Sequence, residues 1–446
     1  MGANPNTLTI QEIWTKQYQI SRYKQPVYHA FATERLEAVL KEGAVVHRDY
    51  ISDLLVNDMG GDGSYSTQAV VDTDETLTVN LKKEVSIQLP KWQNLQTHLP
   101  TIEKAGRKMM NALWNKVDSS ILKNMTLNAG AIVDDGSIGG TAGNPIVASV
   151  GNIQNIFAAV ETIFQLANVV YVPNKSFTGN VKKDGGDLMS CAAISANLYS
   201  VVTQYVGGKN SAKGDEVTTS GYLGYFMGFN QFVSNNLLWE GQLNLTVLPT
   251  DGDSFTLLAG VTVKGVSQAL TFTFRTTQGA LPGSINITSD AAHQVTSVVA
   301  SLNAPFTTVA ESTDAGYNGF VQASLTLTQQ YLLTNATLVA SAISTTGVKI
   351  LVEGMSNVPV SKSMTSAANV WTKQIQHNIF ATSQSIDLLM QKYPNIETNP
   401  VSGKVALDHI VWNLYGFKVF NDQTPQIVDV QIDASSFTSA PSVVQN

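Results

Sequence analysis

The residues able to do chemistry are few and scattered. Six histidines stand at positions 29, 47, 98, 293, 377 and 409, and none has the spacing that brings two imidazoles to one metal. His98 abuts a long helical pattern and His409 a strand pattern, so capping and packing are their expected roles. Asp134 and Asp135 sit in the Gly-, Asp- and Ser-containing stretch 130–149. They could touch one ion, but no spaced third ligand follows, and a solvated turn is expected. Asp251-Gly252-Asp253 lacks the remaining positions and closing Glu of a calcium loop, which leaves a hairpin turn. Gly60-Gly61-Asp62-Gly63-Ser64 would cradle a phosphate only between a strand and a helix bearing Lys and Ser/Thr. It has neither, and reads as a flexible tip. Cys191 is the single cysteine. It lies in the apolar run Leu188-Met189-Ser190-Cys191-Ala192-Ala193, so a buried structural thiol is expected rather than a nucleophile, and no disulfide can form within the chain. There is no HExxH, CxxC, Walker-type loop or Gly-x-Ser-x-Gly elbow, and no carboxylate pair framed for acid–base work. The expectation is no catalytic, cofactor-binding or metal-binding residue, and not an enzyme.

The composition points elsewhere. The chain has 446 residues, of which 43% are hydrophobic and only 14% charged, against roughly 25% charged in ordinary globular proteins. So little charge suggests that much of the surface lies against other copies. The length calls for two or three domains. A net charge of −7 and a pI near 5.4 give no bulk attraction to nucleic acid or anionic membrane. The start, MGANPNTLTIQEIW, is not a signal peptide, and no apolar run reaches the ~20 residues of a membrane helix. Sequons such as Asn244-Leu245-Thr246 are then chance matches. An intracellular, soluble, self-associating protein is expected.

The elements that would build such a protein follow from periodicity. Residues 1–46 read as an extended arm with a short helix at Glu34–Leu40, pinned on a neighbour through the irregular apolar run Pro26–Phe31. Period-two alternation at Leu77, Val79 and Leu81, then at Val85, Ile87 and Leu89, predicts a long hairpin-like excursion with too little apolar surface to bury itself. From Pro100, the residues Ile102, Ala105, Met109, Leu113, Val117 and Ile121 form one helical stripe, ending at Asn128-Ala129-Gly130. A helix at 150–166, a strand at 169–172, a strand at 187–193 and a helix at 195–206 come next. Residues 240–355 change to Thr/Val-rich alternation around a helix at 291–302. They read as a self-contained, mostly β module of about 115 residues. Trp371–Met390 reads as an amphipathic helix, and two strands close the chain at 411–420 and 427–432.

The stretch 221–239, GYLGYFMGFNQFVSNNLLW, has glycines at 221, 224 and 228 that suit backbone at a crowded junction, followed by a strand and the polar turn Ser234-Asn235-Asn236. In residue type and order it resembles a segment of tailed-phage major capsid proteins with the Hong Kong 97 fold. Other segments carry the same resemblance. Val71–Leu89 is similar to the family's extended loop (E-loop). His98–Met125 is similar to its spine helix, with Val117-Asp118 standing where the family often has an Ile/Val-Asp pair. Leu414–Val419 is similar to a return strand. The closest likeness is to coat proteins of crAss-like and podovirus-type phages, over everything except the module.

The resemblance implies an α+β, Hong Kong 97-like capsid fold. It divides the chain into an arm (1–46), an E-loop (47–97), a peripheral domain with the spine helix (98–149), an axial-type α/β domain (150–239), an inserted mostly β domain (240–355) and a return to both domains (356–446). It implies hexamers and pentamers tiling an icosahedral shell around packaged double-stranded DNA, with arms and E-loops lapping onto neighbours. Portal, scaffolding and decoration proteins are possible partners; there is no membrane partner. The localisation implied is the virion capsid, assembled in the bacterial host cytoplasm. The arm reaches the E-loop by about residue 50, so a cleaved scaffolding segment is not expected, and no inter-subunit cross-link is assigned. The rival class is another self-associating polymer: a surface-layer, adhesin or tail-tube subunit.

Overall fold

The computed structural model describes residues 26–34, 45–51, 54–59, 64–65, 67–70, 72–91, 101–167, 169, 189–209, 214, 224–263, 265–276, 282–306, 309–312, 315–334 and 337–435. The first described segment is pinned to its own chain. Tyr28 and Phe31 are fully buried, and a short strand, β1 (Ala32–Glu34), runs parallel to a later strand. The expected helix at 34–40 lies outside the described residues apart from Glu34, which belongs to β1.

Strand β2 (Val45–Ile51) pairs antiparallel with β3 (Asp72–Thr78) along its whole length. Strand β4 (Leu81–Pro90) does not fold back on β3 as the alternation suggested; it joins a different sheet. The reason lies in the link. A two-residue hairpin turn needs left-handed φ, and neither Val79 nor Asn80 has it. The chain therefore changes sheet rather than direction, and the hairpin is closed by β2.

Helix α1 (Thr101–Leu127) spans 27 residues, about 40 Å at the standard rise. Its buried residues Met109, Leu113, Val117, Ile121, Leu122 and Met125 recur at helical spacing. Gly130, just past its end, donates to Thr424 O at 3.1 Å and Ile427 O at 3.0 Å. A Cβ at Gly130 would lie 2.6 Å from Thr424 O, so glycine is required where the helix exit meets the closing strand. Strand β5 (Ala131–Val133) and helix α2 (Ile153–Leu166) follow, then β6 (Ser190–Ile194) and α3 (Ala196–Gly207), which Ser195 caps by accepting from Leu198 N–H. The strand expected at 169–172 lies outside the described residues except Val169. Strands β7 (Tyr225–Phe226) and β8 (Phe229–Val233) form a tight hairpin. Its two linking residues, Met227 and Gly228, have φ of 43° and 87°, the conformation a two-residue primed turn demands.

Next come β9 (Trp239–Asn244), β10 (Ser254–Leu257), β11 (Thr262–Val263), β12 (Val266–Ser267), β13 (Leu270–Arg275), β14 (Ser284–Asn286), α4 (Ala291–Asn303), β15 (Val309–Ser312), β16 (Ala315–Asn318), α5 (Leu327–Leu333), β17 (Leu338–Ala342), β18 (Gly347–Val352) and β19 (Val360–Ser363). Strands β20 (Val370–Thr382), β21 (Ile386–Pro400), β22 (Ala406–Lys418) and β23 (Ile427–Asp433) complete the chain.

The helix expected at Trp371–Met390 is therefore two strands. Trp371, Ile375 and Ile379 are spaced by four, which fits a helix stripe, but the same spacing puts Ile375 and Ile379 on one face of a strand, and a bulge between Trp371 and Lys373 turns Trp371 to the other face. β20 is buried on both faces from Ile375 to Thr382, and burial on both sides removes the alternation that would have marked it as a strand.

Three sheets organise the molecule. A four-stranded sheet runs β1-β21-β22-β4. A nine-stranded sheet runs β17-β18-β9-β20-β6-β8-β7, with β23 and β5 added beside β20. A six-stranded sheet runs β15-β16-β14-β13-β10-β19. The stretch 240–355 is thus divided: β9, β17 and β18 belong to the nine-stranded sheet, and the six-stranded sheet begins at Ser254 and continues to Ser363. The two share a core containing Trp239, Leu243, Phe255, Phe272, Val298 and Ile350.

Helix α1 connects sheets. Its N-terminal half packs Met109 and Leu113 against Val85, Ile87 and Val411 of the four-stranded sheet. Its C-terminal half packs Val117, Ile121, Leu122 and Met125 with Cys191, Ile379 and Ile427 of the nine-stranded sheet, and with Tyr28, Phe31 and Tyr415. Val428 lies on the opposite face with α2 and α3. Leu113→Ala is expected to cost about 2–5 kcal/mol, since Leu113 is 2% exposed. Lys108→Ala on the exposed face should stay within ~0.5 kcal/mol. Denaturant melts of both variants check this; a neutral Leu113→Ala would mean that the helix seam is misassigned.

Candidate assembly interface

The residues singled out in the sequence are not brought together. Among the described residues no group of three His, Cys, Asp or Glu is placed to hold a metal. Asp134 accepts from the N–H groups of Ser137 at 3.0 Å and Gly143 at 2.5 Å, and Asp135 from Thr141 N–H at 2.8 Å. Asp251 accepts from Thr276 N–H, and Asp253 from Thr250 and Thr365 N–H. Carboxylates so occupied form turns, and the Gly143 hydrogen bond in particular holds Asp134 below its usual range. Cys191 is buried, and that burial pushes its thiol up to about 11, the opposite of an activated nucleophile. His29 stacks near Tyr28 and Trp114, His293 contacts its helix cap Asp290, and His409 contacts Thr398. His98 and most of the Gly60–Ser64 tip lie outside the described residues.

What the surface offers is contact area. On the β2–β3 ribbon and its loop, Val56 is 99% exposed and Leu55 77%, with Leu54, Met59, Tyr65 and Val70 also largely uncovered. Isolated exposed apolar residues are normal, but Leu54-Leu55-Val56 are consecutive and the others lie within the same stretch, the pattern of a surface that another protein covers. Asp49 lies directly across from Asp74, with Asp72 two residues along. His47 Nδ1 reaches Asp74 at 2.7 Å.

The base of the ribbon is fastened within the chain, which corrects the expectation that it has too little apolar surface to pack. Leu77 and Val79 are buried with Leu389 and Phe420. The Arg48 guanidinium lies 4.7 Å over the Phe420 ring and pairs with Asp422. Lys418 Nζ donates to Thr76 O at 3.0 Å, and Asn421 N–H to Glu75 at 3.3 Å.

Two buried carboxylates hold α1 in place. Asp118 is fully buried. Its Oδ1 accepts the N–H groups of Val27 and Tyr28, each at 2.8 Å, and its Oδ2 accepts Asn236 Nδ2 at 2.7 Å. One side chain thus joins the N-terminal segment, the helix and the turn after β8. The segment 27–34, expected on a neighbour, is anchored on its own helix. Glu353 accepts from Lys116 at 2.6 Å, Ser119 at 3.0 Å, Ser120 at 2.9 Å and Lys123 at 3.3 Å. Burial would raise the Glu353 carboxyl, but the Lys116 and Lys123 ammoniums outweigh it and hold the group below its usual range. Burial lowers Lys116 even beside that carboxylate. In sequence, the only signal for Glu353 is a lone acid after the apolar run Ile350-Leu351-Val352.

No protein-family model and no curated protein matches the sequence. Solved structures do. The cyanophage Pam1 capsid asymmetric unit is matched with a TM-score of 0.50 at 8% identity, over 97% of this chain and 99% of that one. A structure titled Mycobacterium phage Che8 is matched with a TM-score of 0.49 at 12% identity, over 96% and 98%. The capsid of Ralstonia phage GP4 is matched with a TM-score of 0.49 at 8% identity, over 97% and 98%. The described residues have a mixed α+β fold similar to that of the Pam1 capsid structure.

Proposed function

We propose that this chain is the major capsid protein of a tailed bacteriophage, a structural rather than catalytic protein that self-assembles into an icosahedral shell. The observation that carries the reading is the β2–β3 ribbon, tied at its base to its own chain and uncovered at its apolar end, on a fold shared along its length with a phage capsid subunit. In Hong Kong 97-like terms the ribbon is the E-loop, α1 the spine helix, the four-stranded sheet the peripheral domain and the nine-stranded sheet the axial domain. The six-stranded sheet with α4 is the inserted domain. A two-stranded ribbon is marginal alone and gains stability when laid on a neighbouring subunit. Hexamers and pentamers built this way would enclose double-stranded DNA without sequence-specific contacts, as a net charge of −7 favours. Portal, scaffolding and decoration proteins are the further partners of such a shell, and the host cytoplasm its place of assembly. Among the described residues no helix is long and apolar enough to cross a membrane.

Electron microscopy of the purified full chain tests the reading. Closed isometric particles are expected. Flat sheets or tubes alone would overturn it in favour of a surface-layer, adhesin or tail-tube subunit.

A further inference from the structure

One charged group comes from each of four adjacent strands on the α1-facing side of the nine-stranded sheet: Lys349 from β18, Glu240 from β9, His377 from β20 and Asp429 from β23. Lys349 Nζ is 2.5 Å from Glu240 Oε2, His377 Nε2 is 3.6 Å from the same oxygen, and His377 Nδ1 is 2.8 Å from Asp429 Oδ2. The signs alternate across the sheet only if the imidazole is protonated. Glu240, His377 and Asp429 are each under 5% exposed, so water does little to screen them. A neutral His377 would turn a lone pair towards one of two buried carboxylates.

We propose that His377 is a proton-operated clasp, which fastens the β9–β18 pair to the closing strand β23 while protonated and releases it when the proton is lost. The clasp joins two parts with different duties. β9 and β18 floor the core beneath the six-stranded sheet, whereas the start of β23 receives the exit of α1 at Gly130.

The other charged groups on this side that the structure describes have partners of their own. Gln242 donates to Glu240 at 2.7 Å and Gln431 to Asp429 at 3.3 Å. On β20, Lys373 donates to Gly143 O at 2.5 Å, and on β23 Asp433 accepts Ser435 N–H at 2.8 Å. From α1, Lys116 and Lys123 pair with Glu353, and Asp118 is taken by Val27, Tyr28 and Asn236. Among the described residues, the carboxylates facing the His377 imidazole are those of Asp429 and Glu240. Burial opposes the charge, but the two carboxylates outweigh it and raise the imidazole from 6.5 to about 9. Glu240 is held down at about 2; burial opposes this too, but the nearby His377 imidazole and hydrogen bonds from Lys349 and Gln242 prevail. A pKa raised on folding gives stability that is complete below 6.5 and lost as pH climbs through about 9.

Hydrogen exchange of the full chain between pH 7 and 10, corrected for the intrinsic rate, tests the clasp. In the wild type, protection at 239–244 and 427–433 should fall on the order of 100-fold across that range, while α2 and α3 follow only the global trend. His377→Gln should be looser at pH 7 and lack that pH dependence. Lys349→Arg, which keeps its charge throughout, should titrate as the wild type does. A His377→Gln profile parallel to the wild type would overturn the proposal, as would a flat wild-type profile or loss of the dependence in Lys349→Arg. Should His377→Gln fail to fold, the imidazole resonance of wild-type His377 decides: titration near 9 supports the clasp, and titration at or below 6.5 removes it.

Discussion

Asp118→Ala is expected to destabilise the folded chain by about 3–5 kcal/mol, the summed cost of leaving several buried donors unpaired. The carboxylate satisfies two backbone N–H groups and one side-chain amide inside the protein. Without it, the N–H groups of Val27 and Tyr28 stay buried and unpaired, each costing about 1–3 kcal/mol. The N-terminal segment should then leave α1, exposing Tyr28 and Phe31, which are fully covered in the native chain. Asp118→Asn should recover part of the loss, since an amide oxygen still accepts one partner but its NH2 meets further donors. Urea denaturation measures the cost, and proteolysis near residue 30 reports detachment. A loss below ~1 kcal/mol in Asp118→Ala would show that water replaces the carboxylate without penalty.

The second large effect belongs to assembly rather than folding. The double variant Leu55→Asp, Val56→Asp should leave monomer stability within ~0.5 kcal/mol, because both side chains face solvent in the isolated chain. If the ribbon end lies on a neighbouring copy, each change removes about 1.5–3 kcal/mol of apolar burial and buries a charge besides. Association per contact should weaken at least about 100-fold, and sedimentation should find monomers or small oligomers where the wild type gives shells. Wild-type shell yield from the double variant would show that the ribbon end stays in water after assembly.

The parts of this structure that were legible in sequence are those whose signal is local. The stripe from Met109 to Ile121 marks α1 because spacings of three and four persist along it. Leu414–Val419 marks a strand, whereas Gly228, read as backbone at a crowded junction, is half of the β7–β8 turn. The capsid resemblance rested on the order of these pieces, and the fold follows it. The illegible parts are set by distant partners. A spacing of four served Ile375 and Ile379 equally well as helix or strand, and only pairing on both sides of β20 decides. The partner of β3 is β2 rather than the nearer β4, a choice made by the geometry of Val79 and Asn80. Asp118 meets residues 91 and 118 positions away, and Glu353 meets Lys116 across 237. No window along the sequence contains both ends of such a contact.

The position of α1 has a mechanical consequence. A beam seated in two plates makes them one lever: force on the four-stranded sheet cannot bend the chain at a hinge between the sheets while Met109 and Leu113 grip one plate and Ile121 and Met125 the other. A wall built of such units under outward load would yield first where units meet or in the uncovered ribbon ends, and each unit would tilt as a rigid piece. The compliance of the wall then lies in its seams, and the stiffness of each unit is inherited from one helix.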